Sequence, residues 1–274
     1  MLRIFQHTRK EAMNTRKTRK YLAYALGETA LIVIGIIIAL QITNMNDERR
    51  ERQQEREYMA SLVSELEDHV SHIDAATKGN SILLDDMTIL LDLTSAAARA
   101  HPGADSLSES SLRRLYVYSV KSTYWHIVVE FSEGTIAQLK NAGGLAIIQD
   151  QDVLMRILAY DQGIRFCRGM EQETEVYFHV HEEGQKRLFD LSLASEAYRF
   201  IEEDFMNFLL PIEEFDPLVE QGQYLRRSDS ESLLDYYNDL LFYRTSINNL
   251  VGCHSGARTK AKELVELIRE RYGR

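Results

Sequence analysis

Residues Tyr21–Thr43, YLAYALGETALIVIGIIIALQIT, run for 23 residues without a lysine or arginine. As a helix rising about 1.5 Å per residue they measure roughly 34 Å, enough to cross a hydrocarbon core of about 30 Å. The strictly apolar part, Ala30–Leu40, is 11 residues long and is bracketed by Glu28 and Gln41. The span therefore works only with both polar residues near the interfaces. Tyr21 and Tyr24 suit the headgroup belt on the N-terminal side. A cleaved signal peptide is the competing reading. Against it, Gln41-Ile42-Thr43-Asn44 offers no small-x-small cleavage site and the basic region before the apolar run is long. The stretch reads as an uncleaved anchor, with the lipid bilayer as its first partner.

Charge orients it. Residues 1–20 carry seven Lys/Arg (Arg3, Arg9, Lys10, Arg16, Lys17, Arg19, Lys20) against Glu11, whereas Asp47–Glu57 holds four arginines and five acids. The excess on the N-terminal side predicts a cytoplasmic N-terminus and an extracytoplasmic C-terminal part. The arm either lies on the anionic inner leaflet, with Leu2, Ile4, Phe5 and Met13 beneath it, or is a solvated retention signal. The whole chain has net charge −10; removing the arm's +6 leaves −16 for residues 21–274. That is the wrong sign for nucleic-acid binding, which depends on clustered cations neutralising phosphates.

Behind the span the pattern is helical throughout. Asp47–Glu57 has no apolar stripe and reads as a solvated stalk. Met59, Leu62, Leu66, His69, Ile73 and Ala76 then form a short 3-4 seam, suited to packing inside a bundle. Gly79-Asn80 reads as a helix end, with a second helix over Ser81–Ala98 and a break at His101-Pro102-Gly103. Ser106 with Glu109, and Ser228 with Glu231, have capping-box spacing. Tyr116–Phe131 is β-branched and aromatic, but with no evident strand partner it reads as buried helix and loop. A short helix over Thr135–Ala142 closes at Gly143-Gly144. From Asp150 or Gln151 a long helix carries Val153, Ile157, Tyr160, Ile164, Cys167, Thr174, Phe178, His181 and Leu188 at 3.5-residue spacing. Another is expected from Ser195 to Leu210, ended by Pro211. The last places Leu233, Tyr237, Leu240, Ile247, Val251, His254, Ala261, Val265, Ile268 and Tyr272 on one stripe. The expected fold is all-α: a single transmembrane helix followed by an elongated antiparallel helical bundle. Its divisions are a basic arm at 1–20, the span at 21–43, a charged helical stalk at 44–58 and the bundle at 59–274.

Two blocks carry a resemblance. Tyr21–Arg49, with GETALIVIGIIIALQITNMNDER at its heart, and Thr135–Tyr160, with Leu139-Lys140-Asn141-Ala142-Gly143 and Ile147-Ile148, resemble a family of single-pass membrane proteins common in Bacteroidota and catalogued as a domain of unknown function. The resemblance implies a bacterial inner-membrane protein with a helical periplasmic domain, and it implies no activity. Members usually carry a Trp near the position of Met45, so this chain departs from the family's pattern at the outer aromatic anchor.

Glu28 is the first candidate functional residue, because a carboxylate inside a span is costly unless paired. It either meets a Lys or Arg of a partner helix, or snorkels to the inner interface near Lys20. Ala23, Gly27, Gly35 and Ala39 share a face at multiples of four, interrupted by Leu31, and small residues let helices approach closely. Together these five residues predict association with a membrane-protein partner or with a second copy. Elsewhere the chemistry is sparse. His179 and His181 point about 200° apart on a helix, and His69 with His72 lacks a third ligand, so no metal site is expected. Cys253-His254 is adjacent in sequence but is not arranged as nucleophile and base. No phosphate loop, nucleophile elbow or zinc-protease motif occurs, and neither a cofactor nor an enzymatic activity is expected. Cys167 and Cys253 read either as one disulfide or as two buried thiols. Tyr116–Trp125, Tyr236-Tyr237 and Phe242-Tyr243 read as core, with a ligand or partner groove as the alternative. The expected function is a membrane-anchored scaffold or accessory subunit; the alternative is a periplasmic helical-bundle sensor signalling through a partner protein.

Overall fold

The computed structural model describes residues 16–100, 104–122, 126–132, 134–141 and 143–273. Most of the basic arm, the expected break at 101–103 and Trp125 lie outside them. The described chain is all-α: α1 Arg16–Arg99, α2 Glu109–Lys121, α3 Gly134–Asn141, α4 Gln151–Leu188, α5 Ser195–Glu203, α6 Ile212–Phe215 and α7 Ser230–Tyr272, with short 3-10 turns between. Among the described residues the sole β feature is an isolated bridge between Phe189 and Leu225. The chain divides into two compact units, residues 1–57 and 58–274.

In the first unit the N-terminal part of α1 has a window of mean hydropathy 2.2 and is long and apolar enough to cross a membrane. Its side chains from Lys20 to Gln54 are exposed throughout. Thr29 and Thr43 donate their hydroxyls to the carbonyls of Ala25 and Ala39 one turn earlier, which satisfies both groups within the helix.

The second unit is an up-down-up-down bundle whose register can be followed through its ion pairs. Glu67 and Asp74 of α1 meet Arg269 and Arg258 of α7, and Arg156 and Arg187 of α4 meet Glu263 and Asp239 of α7, so α7 runs antiparallel to both. The return from α1 is made by α2, an extended segment at 126–132, and α3. Asp86 pairs with Lys121, Asn80 with Ile127, His69 with Ser132 and Glu65 with Thr135, in steadily falling order along α1. The 189–229 connection caps one end, where Arg113 of α2 donates to Asp216 Oδ1 (2.9 Å), the Tyr224 hydroxyl (3.0 Å) and the Val219 carbonyl (3.0 Å).

The seam residues of α1 from Met59 to Ala76 and the nine named on α4 are all buried, as the heptad spacing requires. On α7 the same stripe is buried except that Tyr237, Val251 and Tyr272 are half-buried. Two apolar clusters result. One packs Met59–Ala76 against α3, the first half of α4 and the last part of α7; the other packs Leu83–Ala98 against α2, the end of α4 and the start of α7. Asn80, His126, Glu171 and His254 form a polar layer between them.

Four local expectations differ from the structure. Gly79-Asn80 does not end a helix, because α1 runs through it. A Cβ on Gly79 would come within 2.2 Å of Ile127 Cδ1, so the glycine makes room for the extended segment. The Asn80 amide reads that segment's backbone and caps nothing. The cap of α2 is Ser108, which accepts from Ser111 N, with Ser106 in the preceding turn; the cap of α7 is Asp229, which accepts from Ser232 N. α5 stops at Glu203, well before Pro211. There Asp204 turns extended (φ −148°) and its carboxylate accepts from Met206 N, which starts a separate 3-10 turn.

Candidate functional site

Two places bear on function. In the first unit, Ala23, Tyr24, Gly27, Glu28 and Leu31 are all exposed on the surface of α1. A Cβ on Gly27 or on Gly35 would meet nothing within 4 Å, so the small-residue face is open at both glycines. Glu28 is exposed beside that face, and Gly35 and Ala39 continue it, also exposed.

In the second unit the site is built around residues 126–132. An extended chain inside a helical bundle has no ladder, so its buried backbone groups need other partners. Side chains from three long helices supply them. Asn80 of α1 donates to Ile127 O (2.8 Å) and accepts from Ile127 N (2.7 Å). Glu171 of α4 accepts from Val129 N (3.2 Å), and Arg168 donates to Phe131 O (2.9 Å). The Tyr243 hydroxyl of α7 accepts from His126 N (3.1 Å). His69 contacts Ser132 O at 2.9 Å through Nε2, so Nε2 carries the proton and Nδ1 accepts from the Tyr160 hydroxyl at 2.8 Å. Where the segment ends, buried Glu65 accepts from Thr135 N (2.7 Å) in the first turn of α3, a placement the helix dipole also favours.

A groove of about 830 Å³ opens along this segment, lined by His126–Phe131 and by Arg168, Glu171, Gln172 and Glu175 on one face of α4. Glu171 joins groove and core: its Oε1 also lies 3.1 Å from Nε2 of His254, a fully buried residue of α7. Phe131 lies edge-on to both His69 and His254, at 5.3 and 6.1 Å. Burial pushes His126 down to about 4, opposed by Glu171, and lowers His69 as well, so both are neutral imidazoles at pH 7. His181, further along α4, lies fully buried and stacked between Tyr236 and Tyr243. Burial takes it down to about 4 too, against a weak pull from the Ser122 backbone.

Cys167 of α4 and Cys253 of α7 are joined in a disulfide beside the polar layer, with Cα atoms 5.7 Å apart. Cys253-His254 therefore presents no thiol. His179 is exposed near Glu175 and Glu182 while His181 is buried, and His72 is exposed while His69 is buried. Among the described residues no three His, Cys, Asp or Glu side chains are grouped to hold a metal ion. Tyr116, Tyr236 and Tyr243 are core residues. From sequence Asn80 reads only as part of a helix end, and Arg168 and Glu171 are not singled out. A signal existed, since residue 171 falls in the apolar seam of α4 between Cys167 and Thr174, and a carboxylate there needs a buried partner. Comparisons with protein-family models, with curated proteins and with solved structures give no match.

Proposed function

We propose that the protein is a membrane-anchored helical interaction protein, a non-enzymatic scaffold or accessory subunit of a membrane complex. In this reading its N-terminus is cytoplasmic and its bundle lies in the periplasm of a bacterial inner membrane. The observation that carries it is Glu28 on the open small-residue face of Ala23, Gly27, Gly35 and Ala39. A carboxylate at that depth is favourable when a partner helix supplies a cation or hydrogen-bonding group, and the glycines let that helix approach closely. The basic arm, the Cys167–Cys253 bond and the resemblance at Tyr21–Arg49 support the orientation, because disulfides persist in oxidising compartments. The test is cross-linking and affinity purification of the tagged full-length protein from its own membrane, for the native chain and for Glu28→Leu. Loss of the co-purifying partner, or of self-links, with an unchanged melting profile of the bundle supports the reading; a complex of unchanged size overturns it.

The groove along His126–Phe131 favours a second reading, a periplasmic bundle sensor that signals through a partner protein. Its polar lining belongs to side chains that also hold the core, so a ligand there acts on the packing of α1, α4 and α7 together. A small molecule that raises the thermal midpoint of native protein but not of Glu175→Ala would select this reading over the first.

A further inference from the structure

The extended segment at 126–132 has a backbone that the bundle satisfies only in part. Burial alternates along it: His126, Val129 and Phe131 are buried, whereas Val128, Glu130 and Ser132 are exposed. Side chains hold Ile127 at its N–H and its carbonyl, Val129 at its N–H and Phe131 at its carbonyl. The N–H and carbonyl groups of Val128 and Glu130 make no hydrogen bond among the described residues. Both residues line the groove of about 830 Å³. Backbone groups on alternate residues of an extended chain recur about every 6.6 Å, the interval at which a second extended chain presents its own. Unpaired groups in that arrangement are a template for a further strand.

Charge narrows the occupant. The groove is lined by Glu130, Arg168, Glu171 and Glu175. Arg168 is engaged with Phe131 O, and Glu171 with Val129 N and His254. The carboxylates that remain are Glu130 and Glu175, the second 4.0 Å from the His179 ring. We propose that the groove takes an extended segment of a partner protein, which adds a strand along residues 128–130. That segment sets a lysine or arginine opposite Glu130 and an apolar, β-branched residue opposite Val128, two positions away. Main-chain bonds supply the attachment and the two cross-strand pairs supply the selectivity. A helix does not fit the role, because its backbone groups are spent within itself. A free cation would meet the carboxylates and leave the N–H groups of Val128 and Glu130 unused. The proposal shares the groove with the sensor reading but not its small molecule, and it does not depend on Glu28.

The test uses the full-length protein in detergent and a fluorescein-labelled peptide, Thr-Val-Thr-Lys-Thr-Val-Thr, which presents the pattern in either chain direction. The expected result is a saturable rise in anisotropy. Glu130→Lys should weaken it about fivefold and favour instead the peptide with Glu in place of Lys. Glu130→Pro removes an N–H that no bond of the fold uses, and should weaken both peptides by about the same factor with the thermal midpoint unmoved. The charge swap decides the matter even where the proline variant fails to fold. Competition by acetyl-lysine amide as effective as that by the unlabelled peptide would show a site for a cation alone. Absence of saturable binding, or binding indifferent to both substitutions, would show an unused edge. Each of these overturns the proposal. Glu28→Leu should leave peptide binding unchanged, so a failure here is distinct from a failure of the membrane-helix reading.

Discussion

Reducing the Cys167–Cys253 bond should destabilise the bundle by an amount fixed by how much chain the bond closes. The two cysteines are 86 residues apart in sequence. For a loop of that length the entropy withheld from the unfolded chain is about 15 cal/mol/K, or roughly 4.6 kcal/mol at 25 °C. A unit spanning residues 58–274 unfolds with an entropy of roughly 0.45 kcal/mol/K, so the loss corresponds to about 10 °C in midpoint. Reduction is the cleaner perturbation, because it leaves both sulfur atoms in the packed interior, whereas Cys167→Ala with Cys253→Ala also opens a small cavity. The assay is circular dichroism melting of the full-length protein in detergent, oxidised and after reduction in denaturant and refolding under reductant. A fall of about 10 °C is expected for the reduced protein, and slightly more for the double alanine variant. A midpoint within about 3 °C of the oxidised protein would refute the entropic reasoning. Maleimide labelling of the denatured, unreduced protein from membranes should find no thiol; two free thiols would remove the bond from the argument and with it a support for the periplasmic placement.

Acid should weaken the fold before ordinary carboxylates titrate. His126 and His181 fall to about 4 in the folded state from about 6.5 in the unfolded chain, so from pH 6.5 down to 4 the unfolded state binds one more proton at each. Their contribution is complete above pH 6.5 and declines by about 1.4 kcal/mol per pH unit for each residue as pH falls, so that roughly 3 kcal/mol has been lost at each by pH 4. His69, lowered by burial, adds in the same direction. Urea midpoints measured between pH 7 and 5 should therefore fall steadily, and His181→Phe, which keeps a flat ring between Tyr236 and Tyr243, should shallow the slope by one proton; a flat profile would contradict the neutral assignments. Asn80→Ala strands the N–H and carbonyl of Ile127 and should cost roughly 2–4 kcal/mol, read as a lower urea midpoint with early hydrogen exchange across 126–132; a change under about 1 kcal/mol would mean water replaces the amide.

The polar layer also bears on why the bundle settles in one register. Two apolar clusters made largely of Leu, Ile, Val and aromatic residues could slide past one another by a turn at little penalty. A shift by one turn would separate Asn80 from Ile127, Glu171 from Val129 and His254, and His69 from Tyr160, leaving several buried polar groups unpaired at about 1–3 kcal/mol each. The layer thus specifies one packing, and two of its residues, His126 and Glu171, also line the groove.

Local periodicity determined much of this protein. The stretch from Tyr21 to Thr43, free of lysine and arginine, specifies a helix able to cross a membrane, whatever surrounds it. The 3.5-residue spacing of Val153 to Leu188 and of Leu233 to Ile268 specifies long helices and their buried faces, because a helix repeats its geometry every turn. Asp150 could be read as a helix start from its own chemistry, as its carboxylate caps the two backbone N–H groups that follow. What the tertiary structure alone decided are the contacts between residues far apart in the chain. Gly79-Asn80 carries the local signature of a helix end, yet α1 continues through it, since Ile127 fills the space over the glycine and occupies the amide of Asn80. The aromatic and β-branched run before Phe131 is helical up to Lys121 and extended from His126, a division set by Asn80, Glu171, Arg168 and Tyr243 waiting on three other helices. Cys167 meets Cys253, and Glu171 meets His254, because α4 and α7 run antiparallel in one register. Spacing along the chain encodes which face of a helix is buried; what that face is buried against is encoded only by the packing of all the helices together.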